Sequence, residues 1–319
     1  MSLIEKAAEK LKKSESLVVR AAEKLKSSPA VKSQDPEVGP DARKDARKDA
    51  QKDKPSVPNS ESHKPTPSGK DSAQTAVVKL NYDVLQQNNI MIDDSVEDSV
   101  TAEEFRIIKR SLLLNAFSKG ESAIKNGNIL LVTSTQPDEG KTFCAVSLAM
   151  SMAAERDLTV LLVDADVSKP DVLNTLGVRG TKGLIDVIEN KEMDLSECLL
   201  KTSVPNLTIL PAGKKHKLTT ELLASERMGE IIDEIARRYH DRIIIIDSPP
   251  VLASSAASVL ALHVGQILYV VEAERTREEE LSDALQMIEK CSNINFLLNK
   301  ARFVAGKKKF GSYYGYGYN

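Results

Sequence analysis

One short stretch, Asn128–Thr142 (NILLVTSTQPDEGKT), constrains this chain more than any other part of its sequence. Residues 129–132 are all apolar, which is typical of a strand buried on both faces of a parallel sheet. Polar residues lead from there to Gly140-Lys141-Thr142, and the apolar spacing of FCAVSLAMSMAA then predicts a helix. Backbone N–H groups at a helix N-terminus, a Lys ammonium and a hydroxyl can together hold a triphosphate. The stretch therefore predicts a phosphate-binding loop.

The phosphate-loop pattern departs from the usual one at a single position, because Thr135 stands where a Gly normally lies six residues before the Lys. Two downstream segments, VLLVDADVSKP (160–170) and RIIIIDSPP (242–250), support the assignment, since each is an apolar run that ends in acidic residues. Strands of this kind alternate with predicted helices over residues 127–301, which indicates an α/β fold with a doubly wound, mostly parallel sheet. The ligand site is expected at the C-terminal ends of its strands.

The acidic residues at these strand ends have a functional and a purely structural interpretation. Asp164 and Asp166 could coordinate Mg²⁺ or accept a proton beside a bound phosphate, or they could simply form a turn. Asp247 ends the four-Ile strand and suits a role in holding the metal and the nucleophile. The placement of all three at strand ends favours the functional interpretation.

Composition excludes several classes of protein. Lys and Arg number 44 against 46 Asp and Glu, so the formal net charge of −2 gives no general signature of nucleic-acid binding. No apolar run approaches the roughly 20 residues that span a bilayer, and no signal-peptide pattern opens the chain, so a cytoplasmic protein is expected. The three Cys and four His residues lack the spacing of a metal cluster.

The N-terminal quarter of the chain differs from the rest. Residues 1–28 contain a near repeat, SLIEKAAEKLKKS and SLVVRAAEKLKSS, each with a narrow apolar helical face. This segment is either a weak, solvated helix or a docking helix for a partner or an anionic membrane surface. Residues 29–75 include DARKDARKDAQKDK and predict a disordered linker. The folded domain is expected over residues 76–305.

The C-terminal segment, residues 306–319, is rich in Gly and Tyr and is expected to be mobile. It holds four of the seven tyrosines of the chain, namely Tyr313, Tyr314, Tyr316 and Tyr318. Three interpretations stay open: a stacking tail without a specific partner, a segment that stacks on single-stranded nucleic acid, or the substrate of the nucleotide site.

Taken together, these motifs resemble the bacterial tyrosine kinases (BY-kinases) of exopolysaccharide and capsule assembly, which belong to the MinD/ParA-like P-loop ATPases. The resemblance covers residues 76–319 and rests on STQPDEGKT (Walker A), VLLVDADVSKP (Walker A′), IIIIDSPP (Walker B), LPAGKKHKLTTELLASERM and the tyrosine cluster. The EEFRIIKR helix is most similar to the autokinases of exosortase-linked operons. The resemblance implies a tyrosine autokinase that uses ATP and Mg²⁺ and phosphorylates its own tail.

The resemblance also implies a role for each site residue. Lys141 would contact the β- and γ-phosphates, and Thr142 would ligate Mg²⁺. Asp164, the preferred base, and Asp166 would hold metal-bound water and deprotonate the tyrosine, while Asp247 would complete the metal site. The metal set is then Thr142, Asp164 and Asp247; the nucleotide set is Thr135, Gln136, Pro137, Asp138, Glu139, Gly140, Lys141, Thr142, Phe143 and, at the base, Asn299.

Family members assemble into rings through a Glu-x-x-Arg-x-x-Arg helix, which reads Glu103, Arg106 and Lys109 here. The final Lys would weaken bidentate pairing. Further implied partners are a membrane protein of the polysaccharide chain-length or export type, which would activate the kinase at the inner face of the membrane, and a tyrosine phosphatase; no nucleic acid is expected. The alternative is a ParA/MinD-like ATPase switch for a membrane machine, against which stand the tyrosine tail and Gln136 at the position of the signature lysine.

Overall fold

The computed structural model describes residues 77–90, 100–238 and 242–301. The expected N-terminal helix (1–28), the linker (29–75) and the tail with its four tyrosines (306–319) lie outside the described residues. Those assignments, and the domain boundaries, therefore stay predictions.

The described residues form one sheet of seven strands. These are β1 (Ile129–Ser134), β2 (Thr159–Asp164), β3 (Leu200–Lys201), β4 (Leu207–Leu210), β5 (Arg242–Asp247), β6 (Gln266–Glu272) and β7 (Ile294–Asn299). Their order in space is β3-β4-β2-β5-β1-β6-β7, and only the β3–β4 pair is antiparallel. The predicted doubly wound, mostly parallel sheet is confirmed.

Helices cover both faces of this sheet. They are α1 (Tyr82–Gln87), α2 (Val100–Ala116), α3 (Lys141–Ala153), α4 (Val172–Leu176), α5 (Leu184–Glu189), α6 (Thr219–Leu223), α7 (Glu226–Arg238), α8 (Ala256–Leu260) and α9 (Glu278–Met287). Among the described helices, none is both long and apolar enough to cross a membrane.

The apolar runs of the central strands divide their side chains between two cores. In β5, Ile244 and Ile246 enter the core on one side of the sheet, and Ile243 and Ile245 enter the core on the other. All four are at most 2% exposed, and burying each contributes about 2–3 kcal/mol. A strand that must fill two cores has no polar face, which is why these segments read as unbroken apolar runs.

Strand register brings the acidic residues together. Asp164 at the end of β2 lies opposite Asp247 at the end of β5. Asp247 also lies opposite Val132 of β1, two residues before that strand ends at the phosphate loop. Three central strands thus deliver the loop and two carboxylates to one edge of the sheet.

Helix α2 is anchored to α3 by a buried lysine. The Lys109 ammonium pairs with Glu155 at 2.6 Å and donates a hydrogen bond to the Ser151 carbonyl at 3.1 Å. The predicted interface residues Glu103 and Arg106 instead pair with each other at 2.7 Å on an exposed side of α2. At 100° per residue, Lys109 lies about 120° around the helix from Glu103, so the three residues do not share one face. Assembly through α2 stays a prediction, with Lys109 occupied inside the subunit.

Replacing Lys109 by Met should lower the free energy of unfolding by about 1–2 kcal/mol, because the ion pair and the hydrogen bond are lost while the stem still packs. The estimate is modest because the Glu155 side chain is half exposed and can return to water. Urea denaturation measures the change. The matched control is Arg110→Met at the exposed neighbouring position, and equal stabilities for the two variants would contradict the anchoring role.

Candidate active site

The loop between β1 and α3 turns sharply before the helix begins. Asp138 (φ 66°) and Gly140 (φ 93°) both adopt left-handed backbone conformations, and α3 starts at Lys141. A Cβ on Gly140 would lie 2.1 Å from Asn299 Nδ2, so a larger residue would be both strained and in collision. The turn leaves the first N–H groups of α3 at the edge of the sheet where the carboxylates lie, and a helix N-terminus favours an anion.

Thr135, which replaces the usual glycine, has a local explanation. Its backbone is not in the left-handed region, so glycine is not required there. Its buried hydroxyl lies 2.9 Å from the Tyr269 hydroxyl on β6. Burial raises the pKa of Tyr269, although the hydrogen bond to Thr135 opposes the rise. The Thr135–Tyr269 hydrogen bond ties the start of the loop to β6. In the sequence, the only signal for this contact is the single Tyr within the apolar run of β6.

The two side chains expected to hold phosphate and metal both contact carboxylates. The Lys141 ammonium lies 2.8 Å from Asp166 Oδ2, and the Thr142 hydroxyl donates to Asp247 Oδ2 at 2.7 Å. Both Asp residues and Lys141 are buried. The structure therefore assembles the residues that the sequence predicted to act together.

Asp164 is fixed by the backbone that follows it. Its carboxylate accepts the Asp166 N–H at 3.2 Å through Oδ1 and the Val172 N–H at 3.3 Å through Oδ2. The turn interpretation of this Asp pair is confirmed, since Asp166 Oδ1 likewise accepts the Lys169 N–H at 3.2 Å and both carboxylates stabilise the turn. The same bonds hold Asp164 next to Asp247, so the structural and functional interpretations are compatible.

Burial dominates the electrostatics of these groups. It raises the pKa of Asp164 well above its ordinary value, with Asp247 adding to the rise, and it raises the pKa of Asp247 to about 7 against the opposing effects of Lys141 and the Thr142 hydrogen bond. Burial alone would lower the pKa of Lys141, but the charges of Asp247 and Asp166 outweigh it and the net pKa is raised. The site is thus short of positive charge.

A divalent cation fits this shortage. One lysine faces three carboxylates, those of Asp164, Asp166 and Asp247, and Asp247 Oδ1 is buried without a hydrogen-bond partner. Carboxylate and hydroxyl oxygens are the ligands that Mg²⁺ prefers, usually as one or two protein ligands with waters and substrate phosphates. No ready-made cage of three or more His, Cys, Asp or Glu side chains occurs in the described part of the chain.

The outer side of the loop is held by a buried carboxylate. Glu139 is 1% exposed; one of its oxygens accepts the Gln136 N–H at 2.8 Å, and the other accepts the Thr276 hydroxyl. Thr276 in turn accepts the Glu272 N–H at the end of β6. The loop is therefore braced against β6 through Thr276 and Glu272, which no sequence motif singled out.

The end of β7 braces the loop at a second point. Asn299 Nδ2 donates to the Glu139 carbonyl at 2.8 Å, and the Lys300 ammonium donates to the Asp138 carbonyl at 2.6 Å and pairs with Glu272 at 3.1 Å. The resemblance implied that Asn299 contacts a nucleotide base, whereas the structure places its amide nitrogen on the loop. Lys300 was missed, and its position directly after Asn299 was the only signal.

Of the other residues predicted to bind the nucleotide, some are exposed to solvent and one packs against α2. Pro137 and Asp138 form the exposed tip of the loop. Phe143 packs its ring edge-on against Phe105 of α2, with ring centroids 6.1 Å apart. The Phe143 ring thus joins the loop's helix to α2.

Comparison with known proteins is consistent with this geometry. The family model of the AAA domain matches residues 128–300 of this chain. The tyrosine-protein kinase CpsD of Streptococcus agalactiae is 30% identical over 193 residues, which cover 59% of this chain and 82% of CpsD. The tyrosine-protein kinase wzc of Salmonella typhimurium is 32% identical over 158 residues, 50% of this chain, so this chain spans only 21% of that longer protein. The kinase domain of the Escherichia coli tyrosine kinase ETK has a TM-score of 0.53 at 28% identity, over 68% of this chain and 80% of that domain.

Replacing Asp247 by Asn should change stability in a pH-dependent way. The folded pKa of about 7 exceeds the unfolded value of about 3.9, so ionising Asp247 progressively destabilises the wild type as pH rises from about 4 through 7. The Asn variant escapes this loss, and its stability relative to wild type should increase between pH 5 and pH 8 on the order of 1 kcal/mol or more. Urea denaturation in a chelator measures this, with Asp157→Asn at an exposed position as the matched control. A pH-independent difference for Asp247→Asn would contradict the prediction.

Replacing Asn299 by Ala should weaken the binding of adenine and guanine nucleotides equally, by about tenfold, because the lost hydrogen bond supports the loop. Titration with fluorescent ATP and GTP analogues measures both affinities. Asn293→Ala, just before the opposite end of β7, serves as the control and should change neither. Loss of ATP affinity alone would instead mean that Asn299 reads the base.

Proposed function

Because this chain belongs to the bacterial tyrosine-protein kinases and carries their AAA-type ATPase domain, we propose that it transfers the γ-phosphate of ATP to tyrosines of its own C-terminal segment. The observation that carries the proposal is the meeting of Lys141, Thr142 and the three carboxylates at the mouth of a phosphate loop. Phosphoryl transfer depends mainly on positioning and charge neutralisation, and this set of residues supplies both.

The residues at the sheet edge would divide ATP and Mg²⁺ between them. Lys141 would exchange Asp166 for the β- and γ-phosphates, since a phosphate is the stronger anion for an ammonium in that position. Thr142 and Asp247 would hold the metal, with Asp164 acting through water. Bound Mg²⁺ would supply neutralisation of the phosphate charge. The N–H groups at the start of α3 would orient the same phosphates.

Asp164 is the preferred base for the attacking tyrosine. The raised pKa of Asp164 reduces the difference between its pKa and that of the tyrosine hydroxyl. A smaller difference in pKa favours proton transfer from the tyrosine to Asp164. Its two backbone hydrogen bonds hold the carboxylate in place. The phenolic proton would pass to Asp164 as the tyrosine oxygen bonds to the γ-phosphorus and the bond to ADP breaks. Asp166, once released by Lys141, is the second acceptor.

The proposed acceptors are the tail tyrosines Tyr313, Tyr314, Tyr316 and Tyr318, used in trans within a ring-type homo-oligomer. The exposed Glu103–Arg106 side of α2 supports the assembly, whereas Lys109 supports the subunit itself. We further propose a membrane protein of the polysaccharide chain-length or export type as activator, a tyrosine phosphatase as antagonist, and regulation of exopolysaccharide biosynthesis or export at the cytoplasmic face of the membrane.

Mass-spectrometric mapping after incubation with ATP and Mg²⁺ should find phosphotyrosine within residues 313–318. Lys141→Met should reduce it at least about a hundredfold, because the main phosphate-binding charge is lost. The control is Lys182→Met, at an exposed lysine that pairs with Glu197, and it should retain full modification. ATP hydrolysis with an unmodified tail would instead establish the ParA/MinD-like ATPase switch.

A mixing experiment tests transfer between subunits. A chain with all four tail tyrosines replaced by Phe keeps its site, and Lys141→Met keeps its tail. Phosphate on the Lys141→Met chain after mixing is the expected result. Modification of wild type that never appears on the Lys141→Met chain would show transfer within one subunit only.

A further inference from the structure

Strand β7 is the last strand of the sheet, and one face of it is apolar and exposed. In the described part of the chain it pairs with β6 alone, so its outer edge offers backbone groups to another strand. Phe296 and Leu298 alternate onto one face and are 43% and 63% exposed, while Leu297 between them is buried in the opposite core. Such an edge is a template for an added strand.

The exposed face of β7 lies on the same side of the sheet as the acidic helix α9. The Phe296 ring contacts the Tyr269 ring, with 5.8 Å between the ring centroids. Tyr269 belongs to the same hydrophobic core as Ala284 of α9 and Ile288, the residue after α9. Residues 278–289 contain five acidic residues and no basic one. An occupant of this edge should therefore be aromatic or apolar and positively charged.

The chain's own C-terminal segment has this chemistry. Residues 302–319 contain Arg302 and the run Lys307–Lys309 and no acidic residue. In Tyr314-Gly-Tyr316-Gly-Tyr318 the aromatic residues alternate with glycines, and the period of two of an extended strand puts all three rings on one face. Tyr313 falls on the other face.

We propose that residues 314–318 dock as an antiparallel strand on the outer edge of β7 of the same chain, with the three tyrosines over Phe296 and Leu298. The connecting residues 300–313 can span up to roughly 45 Å, whereas β7 is only about 20 Å long, so the return is possible. The lysines would then pass the acidic helix. Ordering two glycines is unfavourable, so the contact is weak and reversible.

This proposal rests on the proposed function: before phosphorylation, the tail is docked on β7. A phosphate adds about −1.5 to −2 charge to a tyrosine, which an apolar face beside an acidic helix disfavours. Phosphorylation of Tyr314, Tyr316 or Tyr318 therefore expels the tail. Tyr313, which belongs to the connecting residues and not to the docked strand, stays accessible to a neighbouring active site and is the first acceptor.

Hydrogen exchange of the full-length protein without nucleotide tests the docking. Amides of residues 294–299 and 314–318 should exchange at least about fivefold more slowly in wild type and in Tyr313→Ser than in Tyr316→Ser or in Phe296→Ser/Leu298→Ser. The substitution in the tail cannot unfold the domain, and unchanged exchange in β1 verifies that the double variant folds. Equal exchange in all four proteins overturns the proposal.

Two further experiments identify which chain covers β7 and test the docking independently of the autokinase activity. Protection that persists on dilution identifies the chain's own tail, whereas protection lost on dilution means that a second copy covers β7 and overturns docking within one chain. ATP and Mg²⁺ should abolish the protection as phosphotyrosine forms; protection retained on fully phosphorylated protein overturns the expulsion. A chain that shows the protection but never forms phosphotyrosine supports docking and refutes the autokinase.

Discussion

The surplus of negative charge at the ends of β2 and β5 is the constraint on which the rest of the structure depends. Strand register places Asp164 beside Asp247 in the dry interior, and Lys141 offsets only part of their charge. A buried carboxylate without full compensation is destabilising, and the raised pKa values express that. A divalent cation would relieve the imbalance, so cation binding and folding stability are linked through the same atoms. The free domain gives up stability to be ready for its ligand.

The phosphate loop depends in turn on contacts made from outside. Its first residue is held by Tyr269, its buried Glu139 by Thr276, and its carbonyls by Asn299 and Lys300. All four supports come from β6, from β7 or from the first four residues after these strands. A loop braced in this way does not need glycine at its first position, which explains how Thr135 is tolerated. The same supports sit where the chain leaves β7 toward its tail, so the loop and the origin of the tail share one rigid base.

The sequence was most informative where short-range pattern decides structure. Unbroken apolar runs predicted β1, β2 and β5 correctly, and the carboxylates that end the β2 and β5 runs predicted the sheet edge that carries the site. Pairs such as Thr142–Asp247 lie 105 residues apart, and only the strand order makes them neighbours. Lys109 illustrates a subtler limit. The three-residue spacing of Glu103, Arg106 and Lys109 fixes only the angles between them around the helix. Which of them packs against α3 depends on tertiary structure, and the structure places Lys109 there.

An apolar edge strand is a liability that proteins usually cover. A tail that begins seven residues beyond β7 is present at an effective concentration on the order of millimolar, so even a Gly-spaced stripe of tyrosines can cover this edge by a weak contact. Weakness is what makes the contact responsive. A single phosphate places about −1.5 to −2 charge beside the acidic α9 and so opposes a weak contact, whereas a tightly packed strand would resist it. The glycines that weaken the tail as a strand are then the feature that lets phosphorylation control it.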